Sequence, residues 1–333
     1  MSDARVVVAG ASGFAGALAA HLVHRHPRLE LAAATARADA GERLDRLYPR
    51  YRVPVELTLL DPDDPPEADA AIVAYPHGAA ARVVARLMEA GQKVVDVSAD
   101  FRLHDQSAYE ATYGEHGAPE LLGDAVYGLT ELHRDDVRGA RLVANPGCYP
   151  TAALLALAPL AREGLVGDVV ISAASGVSGA GRVVGDRFHF VSVDENFSPY
   201  GVEGHRHLPE ITQGLGELGG DGRVTFVPHL LPIDQGLMAS CFVSPPSEVD
   251  AGELQELYRS TYADEPFVQV VPDAPGVREV RETNDCRVCV ATDPRTGRIM
   301  TFAAIDNLWK GAAGQAIQNL NLMLGFDETE GLR

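Results

Sequence analysis

One cysteine of this chain, Cys148, stands in a sequence context that favours nucleophilic chemistry. It follows a Pro-Gly pair in the segment Asn145-Pro146-Gly147-Cys148-Tyr149-Pro150-Thr151, and an apolar run over residues 152–160 comes next. A turn that leads into a helix would put the thiol at the helix N-terminus, where unpaired N–H groups and the helix dipole favour the thiolate. Because a thiolate is a nucleophile, the segment predicts covalent catalysis, with Asn145 as a supporting residue. The alternative is a small buried residue at a strand-to-helix junction.

A second cluster of polar side chains, residues 204–211, offers a group for proton transfer. Its sequence is Gly204-His205-Arg206-His207-Leu208-Pro209-Glu210-Ile211. Histidine ionises near neutral pH, so one of the two could act as general acid or base while Glu210 orients it. The His-x-His pair and Glu210 could instead bind a metal, but no further residue completes the site, since Cys286 and Cys289 fall on opposite faces of a predicted strand. We therefore expect no metal.

Three arginines could bind an anionic substrate. Arg206 lies between the two histidines, and Arg182 ends the Gly/Ser-rich loop 175–182, whose backbone N–H groups could also bind an anion. Arg102 follows another predicted strand and could clamp an anion beside a cofactor. The alternatives are an ordinary flexible turn for the loop and an ion pair with Asp100 for Arg102.

The glycine-rich turn at residues 10–16 predicts a dinucleotide site. A buried strand is predicted over residues 5–9, and a helix over residues 17–26 follows the turn. In this context the glycines let backbone N–H groups approach a pyrophosphate at the helix N-terminus. The spacing is G-x-x-G-x-x-G, and a purely structural strand–helix turn is the alternative. The candidate cofactor contacts in the turn are Gly10, Ser12, Gly13, Phe14 and Gly16.

The end of the next predicted strand, residues 29–34, indicates which dinucleotide binds. An NAD-preferring enzyme usually carries an acidic residue there for the ribose 2′-hydroxyl, whereas this chain has Thr35-Ala36-Arg37. A hydroxyl and a guanidinium suit a 2′-phosphate, so Thr35 and Arg37 predict NADP. A solvated loop arginine is the alternative.

Further cofactor contacts are expected where other predicted strands end, because doubly wound sheets bind ligands at the carboxyl ends of their parallel strands. Strands over residues 70–74 and 93–97 end in such loops. Residues 306–315 open a helix whose small side chains permit close approach of a cofactor or close packing. The candidate cofactor contacts from these segments are Tyr75, Pro76, Ser98, Asn307 and Gly311.

Length and composition exclude several classes of protein. A chain of 333 residues predicts two domains, and the succession of strands and helices predicts an α/β fold. No apolar run reaches the ~20 residues of a membrane span, no signal peptide is recognisable, and four cysteines do not form a disulfide framework. The net charge of −19 argues against nucleic acid and anionic membranes as partners. We therefore expect a cytoplasmic protein that acts on a small molecule.

The motifs together resemble those of the N-acetyl-gamma-glutamyl-phosphate reductase family, within the aspartate-semialdehyde dehydrogenase-like superfamily. The resemblance covers nearly the whole chain, and the segment around Cys148 is its most specific part. It rests on residues 10–16, 97–103, 127–132, 145–151, 195–197, 200–202, 205–207 and 306–311. It implies a Rossmann-type doubly wound NADP-binding domain, residues 1–147 completed by a helix at 308–333. It also implies an α+β catalytic and dimerisation domain, residues 148–307.

The resemblance further implies an activity, an intermediate and an assembly. The family uses NADPH to reduce N-acetyl-gamma-glutamyl phosphate to N-acetylglutamate semialdehyde and phosphate, in arginine biosynthesis. Cys148 matches the family's nucleophile, which forms a thioester, and His205 matches its proposed acid/base, with His207 and Glu210 beside it. The family forms homo-oligomers, commonly tetramers, so we expect a homo-oligomer here, a dimer or a tetramer.

One position departs from the family pattern. In the segment Pro232-Ile233-Asp234-Gln235-Gly236, the family usually has arginine where this chain has Gln235. A substrate anion would then need another positive group, and Arg102, Arg182 and Arg206 are the candidates. The alternatives to this function are a related acyl-phosphate reductase, such as the lysine-pathway aminoadipyl-phosphate enzyme or aspartate-semialdehyde dehydrogenase, a thiol hydrolase, and a non-catalytic dinucleotide-binding protein.

Overall fold

The structure, a computed structural model, describes residues 3–182 and 184–333. It divides the chain into two units. The first unit extends through Gly147 and is completed by Ala312–Arg333, and the second is Cys148–Gly311. The chain therefore leaves the first unit immediately before Cys148 and returns to it immediately after Gly311.

The first unit contains a parallel sheet of short apolar strands. The strands are β1 (Ala4–Ala9), β2 (Leu29–Thr35), β3 (Ala70–Val73), β4 (Lys93–Asp96), β5 (Ala125–Tyr127) and β6 (Leu142–Ala144). Their order is β2-β1-β3-β4-β6-β5, so the direction of winding reverses between β1 and β3. Such a reversal is where doubly wound sheets bind ligands. The predicted doubly wound fold is confirmed.

The second unit contains a mixed sheet. Its strands are β7 (Val169–Gly176), β8 (Ser198–Pro199), β9 (Val224–Leu231), β10 (Leu237–Val243), β11 (Val268–Val270), β12 (Cys286–Thr292) and β13 (Ile299–Ile305). Their order is β11-β12-β13-β10-β7-β9-β8. Buried and half-buried residues alternate along β10, as expected for a sheet with one covered and one open face.

Helices complete both units. They are α1 (Phe14–Arg25), α2 (Leu44–Leu47), α3 (Ala81–Glu89), α4 (Gln106–Tyr113), α5 (Thr130–Gly139), α6 (Cys148–Arg162), α7 (Phe190–Val193), α8 (Leu208–Glu217), α9 (Ala251–Thr261) and α10 (Gly314–Met323). In the second unit α6 contacts β10, β12 and β13, and it also contacts α8 and α9, so these three helices form one layer against the sheet. Of the helices in the described residues, none has the length and apolar character needed to cross a membrane.

The strands and helices that the sequence predicts occur close to their predicted positions, with two differences. Helix α1 begins at Phe14, inside the glycine-rich segment rather than after it. The helix expected near residue 306 begins instead with a π-helical turn, Trp309–Ala313, that precedes α10.

Candidate active site

Cys148 is the first residue of α6, as the sequence predicts. Strand β6 ends at Ala144, and the Pro146-Gly147 pair lies between strand and helix. The helix continues to Arg162 and is almost entirely buried, so packing fixes where it starts. Cys148 itself is half-buried and forms no disulfide among the described residues. The thiol is therefore positioned where the N-terminal N–H groups of a helix stabilise its anion.

Two tyrosines lie beside this thiol. The Tyr200 hydroxyl donates to the Tyr149 hydroxyl oxygen at 3.0 Å, and the Tyr149 hydroxyl donates to the His229 carbonyl oxygen at 3.2 Å. Burial, to which the negative charge of Cys148 adds, raises the pKa of Tyr149 well above its usual value and that of Tyr200 to about 12. Both hydroxyls are therefore neutral hydrogen-bonding groups next to the thiol. Sequence analysis missed them, although both tyrosines fall within the segments that carry the family resemblance.

His205 belongs to the same cluster. Its ring packs edge-on against Tyr149, Tyr200 and Phe226, with ring centroids 5.7, 5.5 and 5.4 Å away. The His207 N–H donates to His205 Nδ1 at 3.1 Å, so the neutral ring carries its proton on Nε2. Burial, and then the Arg206 guanidinium, lower the pKa of His205 from 6.5 to about 4. Cys148 and His205 are thus brought together around the two tyrosines, and the imidazole is neutral near pH 7.

The other residues of the 204–211 segment surround His205. The His207 ring is buried and lies edge-on to His205, with centroids 4.9 Å apart. Glu210 is buried in the first turn of α8, and Arg206 is exposed. Within residues 3–182 and 184–333, no group of three or more His, Cys, Asp or Glu side chains is arranged to hold a metal ion.

Two residues predicted to contact the cofactor, Asn307 and Gly311, contact other residues of the second unit, to which they themselves belong. Asn307 Oδ1 accepts the Gly236 N–H at 2.8 Å, and its Nδ2 donates to Ser178 Oγ at 2.9 Å. Asn307 therefore joins the Gly/Ser-rich loop to the turn that contains Gln235, and its amide is not displayed to a ligand. Gly311 lies against Cys148, since a methyl group on Gly311 would stand 2.7 Å from Cys148 Cβ.

Gln235 has an arginine beside it, although not one of the three expected. The Gln235 side chain is buried and donates to the Asp234 carboxylate at 3.3 Å. Its backbone carbonyl oxygen accepts a hydrogen bond from Arg281 Nη2 at 3.0 Å. Arg281 is exposed and precedes β12. Arg182 is also exposed, at the end of the Gly/Ser-rich loop. Sequence analysis missed Arg281 because it is distant from Gln235 along the chain.

In the first unit, the glycine turn packs tightly at the end of β1. Gly10 has φ +85°, and a methyl group on it would stand 2.5 Å from the Ala74 carbonyl oxygen. A methyl group on Gly16 would overlap the Gly10 carbonyl oxygen. Gly13 precedes α1 as its N-cap residue and provides no side-chain cap, and the Tyr48 hydroxyl donates to the Ser12 carbonyl oxygen at 2.7 Å next to the Phe14 ring. No side chain therefore caps the backbone N–H groups at this helix N-terminus.

Thr35, Arg37 and Tyr75 meet beside this turn. Burial raises the pKa of Tyr75, while the Thr35 hydroxyl and the nearby Arg37 charge act against that rise. Thr35 is fully buried, and its carbonyl oxygen accepts the Gly10 and Ala11 N–H groups, so it supports the turn from inside rather than facing a ligand. Arg37 and Pro76 are exposed.

Ser98, a further predicted cofactor contact, forms hydrogen bonds within the protein through its hydroxyl. Its hydroxyl donates to Asp96 Oδ2 at 2.7 Å and accepts the Asp100 N–H at 3.0 Å. All three residues are buried. Burial and the Asp100 charge raise the pKa of Asp96 to about 7. Ser98 therefore organises the loop after β4.

Arg102, which the sequence suggests as an anion clamp, is buried and bonds to backbone carbonyl groups. Its side chain is 4% exposed, and Nε and Nη2 donate to the Asn145 and Val97 carbonyl oxygens, each at 2.8 Å. The Asp100 carboxylate, its other expected partner, accepts N–H groups at the start of α3. The two hydrogen bonds of Arg102 tie its guanidinium to the backbone at Val97 and Asn145.

Asn145 is held by side chains that the sequence does not single out. Its Nδ2 donates to the Ala312 carbonyl oxygen at 3.1 Å, and its Oδ1 accepts from Asn319 Nδ2 at 3.2 Å. Asn319 also accepts from Thr130 Oγ1 at 2.7 Å and donates to the Gly128 carbonyl oxygen at 2.8 Å. Buried amides of α10 thus fix the backbone three residues before Cys148 in the chain.

Comparison with known proteins agrees with this fold and site. Residues 5–140 match the model of the semialdehyde dehydrogenase NAD binding domain, and residues 148–307 match that of the semialdehyde dehydrogenase dimerisation domain. Aspartate semialdehyde dehydrogenase II complexed with ASA from Vibrio cholerae has the same fold (TM-score 0.74, 17% identity, covering 98% of this chain and 99% of that one). So does aspartate semialdehyde dehydrogenase with NADP from Candida albicans (TM-score 0.71, 17% identity, 97% and 99%). The chain is an oxidoreductase of the semialdehyde dehydrogenase class with a nicotinamide-binding domain.

Closer relatives define the family within this class. Proteins named N-acetyl-gamma-glutamyl-phosphate reductase are 48% identical in Desulforudis audaxviator, 47% in Alkalilimnicola ehrlichii and 46% in Moorella thermoacetica. Each alignment covers 98% of this chain and 96–97% of the relative. The chain belongs to the N-acetyl-gamma-glutamyl-phosphate reductase family, which confirms the resemblance found in its sequence.

Proposed function

We propose that the protein reduces N-acetyl-gamma-glutamyl phosphate to N-acetylglutamate semialdehyde and phosphate with NADPH, as a step of arginine biosynthesis. The observation that carries this proposal is Cys148 at the start of a buried helix, next to the cluster of His205 and Tyr200. Relatives that align over nearly the whole chain bear the name of that reaction. On this proposal the first unit binds the cofactor and the second carries the chemistry.

The first unit fits a nicotinamide dinucleotide. Gly10 and Gly16 pack closely in the turn, no side chain caps the start of α1, and the N–H groups there suit a pyrophosphate. The exposed Arg37 suits the 2′-phosphate of NADP, and no carboxylate follows β2 directly to bind a 2′-hydroxyl. When bound, the cofactor supplies the hydride for the reduction.

The second unit supplies the nucleophile. Cys148 Sγ, as the thiolate, attacks the acyl carbon of the substrate. The bond from that carbon to the phosphate oxygen then breaks, phosphate departs, and the acyl group remains on Cys148 as a thioester. Reduction of the thioester gives a thiohemiacetal, which collapses to the aldehyde and releases Cys148 as the thiolate. The sulfur is a better leaving group than a serine oxygen, so both halves of the reaction favour cysteine.

His205 acts as a neutral hydrogen-bond donor. With a pKa of about 4, it does not hold a second proton near pH 7. Its Nδ1 accepts the His207 N–H, which leaves Nε2–H to donate to the substrate carbonyl oxygen as that oxygen gains negative charge. The Tyr200 hydroxyl, kept neutral by its raised pKa, assists from the same cluster.

The substrate's anionic groups need local positive charge, because the chain as a whole carries −19. The exposed Arg182 and Arg206 remain candidates. Arg281 joins them, since it lies at the turn where this chain has Gln235 in place of the family's arginine. Arg102 does not, because its guanidinium is buried on carbonyl groups.

The proposal includes a homo-oligomer formed through the second unit. Residues 148–307 match a domain described by its dimerisation, and one segment of that unit carries exposed apolar side chains. These are Val184, Phe190, Val191, Phe197 and Val202. Monomeric proteins rarely leave such a group uncovered.

A spectrophotometric assay tests the activity in the reverse direction. The purified protein receives NADP, phosphate and either N-acetylglutamate semialdehyde or aspartate semialdehyde, and the appearance of NADPH is followed. We expect NADPH only with N-acetylglutamate semialdehyde. NADPH only with aspartate semialdehyde would contradict the proposed substrate, and no binding of NADP would contradict the proposed cofactor.

A pair of matched variants tests the thioester. Cys148→Ser is expected to lose turnover by at least roughly a thousandfold while it still binds NADP. Cys289→Ser makes the same chemical change at a buried thiol in β12 that donates to the Pro272 carbonyl oxygen, and it should retain activity. Near-normal turnover in Cys148→Ser would contradict the covalent mechanism.

A further inference from the structure

The π-helical turn Trp309–Ala313 brings backbone directly against the thiol residue. The Gly311 N–H donates to the Asp306 carbonyl oxygen five residues earlier, at 2.9 Å. π-Helical turns are rare and concentrate at functional sites. Here the wide turn carries Gly311 to Cys148.

The contact between Gly311 and Cys148 leaves no room for a side chain. A methyl group on Gly311 would stand 2.7 Å from Cys148 Cβ and 3.2 Å from Cys148 Cα. Carbon atoms in contact normally lie about 3.5–4.0 Å apart, so one of the two residues would have to move by roughly 1 Å. Gly311 does not have the positive φ that favours glycine. Space alone therefore requires glycine here.

The π-helical turn has little freedom to move, because hydrogen bonds to the Asp306 carboxylate and the burial of Lys310 fix its position. The Asp306 carboxylate accepts the Leu308 and Trp309 N–H groups at 2.8 and 3.1 Å, and the Glu282 N–H at 2.8 Å. Lys310 is fully buried, with its ammonium 5.6 Å from the centre of the Phe267 ring. A residue larger than glycine would therefore displace Cys148 rather than the turn.

We propose that Gly311 is a positioning residue for Cys148. The backbone of Gly311 is in van der Waals contact with Cys148 and so limits where this residue can lie. The contact thereby fixes the position of Sγ relative to the N-terminus of α6 and to Tyr149 and Tyr200. This role replaces the cofactor contact expected from the sequence. The effect on turnover rests on the proposed reductase function, whereas the effect on the thiol does not.

The variant Gly311→Ala tests this role through the thiol itself. The rate of iodoacetamide alkylation of Cys148 is measured against pH without cofactor or substrate, with the labelled peptide identified by mass spectrometry. We expect a shifted alkylation profile, at least a tenfold fall in kcat, and an unchanged dissociation constant for NADPH, since misplacing a reacting atom by about 1 Å costs on the order of 100-fold. The control is Gly216→Ala in α8, where a methyl group meets nothing within 4 Å.

Two results would overturn the proposal. The first is weakened NADPH binding with an unchanged alkylation profile, which would make Gly311 a cofactor contact. The second is a profile and kcat equal to those of the Gly216→Ala control. If the wild-type protein has no reductase activity, the alkylation profile still decides the question.

A stability cycle covers the case in which Gly311→Ala folds poorly. Cys148→Gly removes the Cβ atom that the new methyl group would meet. The fall in urea midpoint caused by Gly311→Ala should therefore be much smaller in the Cys148→Gly background than in the wild type. An equal fall in both backgrounds would overturn the proposed contact.

Discussion

The low pKa of His205 predicts a specific dependence of stability on pH. The imidazole is packed among Tyr149, Tyr200 and Phe226, and the Arg206 charge also disfavours its protonated form. In the unfolded chain the same imidazole would titrate near 6.5. The change we consider is His205→Asn, which keeps a hydrogen-bond acceptor near the position of Nδ1 but removes the titration.

The sign and size follow from the two pKa values. Between about pH 4 and pH 6.5 the unfolded chain binds a proton at residue 205 that the folded protein does not, so stability falls as the pH falls. A pKa lowered from 6.5 to about 4 corresponds to about 3.4 kcal/mol at 1.36 kcal/mol per pH unit. Because His205 keeps some solvent contact, we expect about 2–3 kcal/mol of this to be observed.

Urea unfolding near pH 7 and near pH 4.5 measures the effect. On acidification the wild type should lose about 2 kcal/mol more than His205→Asn does. The raised pKa of Asp96 also makes stability depend on pH, but equally in both proteins, so it cancels from the comparison. His189→Asn, at an exposed position, controls for loss of an imidazole. Parallel losses in wild type and His205→Asn would refute the argument that burial holds this imidazole neutral.

Three further changes test the ligand contacts. Arg37→Ala should weaken NADPH binding about tenfold to a hundredfold and leave NADH binding nearly unchanged, because a charge-assisted hydrogen bond to phosphate is worth about 1.5–3 kcal/mol; fluorescence titration that finds equal losses for both would contradict the role. Gly10→Ala should abolish NADPH binding and lower the melting temperature, since φ is +85° and the methyl group would stand 2.5 Å from a backbone carbonyl oxygen; retained binding in isothermal titration would argue against the turn. Arg281→Ala should raise the KM for phosphate in the reverse reaction, and adding Gln235→Arg should lower that KM again. Arg278→Ala, at another exposed arginine, should leave the KM unchanged. If Gln235→Arg does not lower the KM, Arg281 is not part of the site.

The features that the sequence predicts are those encoded locally. Cys148 follows a Pro-Gly pair and precedes an apolar run, so its place at a helix start follows from neighbouring residues. The glycine turn after β1 is predictable for the same reason, because turn and helix are adjacent in the chain. The class of the fold follows from the order of strands and helices.

The partners of individual polar side chains are not encoded locally. Asn307 and Arg102 have the chemistry to bind a ligand, but each bonds to its own chain, through residues that the sequence gives no reason to pair with them. The converse holds for Tyr200, whose hydroxyl meets the Tyr149 hydroxyl only through tertiary packing. Residue type alone therefore indicates what a side chain could do, and burial decides whether it is available.

The path of the chain through the two units has a consequence for biosynthesis. Residues 148–311 are one uninterrupted stretch, so they can begin to fold as soon as they have left the ribosome. The sheet of the first unit is made earlier, but α10, which contacts α1, α5 and β4, is made only after the whole second unit. Until Asn319 arrives, the Thr130 hydroxyl, the Gly128 carbonyl and the Asn145 amide lack that partner. The unit that is synthesised first is therefore completed last, because its sheet lacks the packing of α10 until the whole second unit has been made.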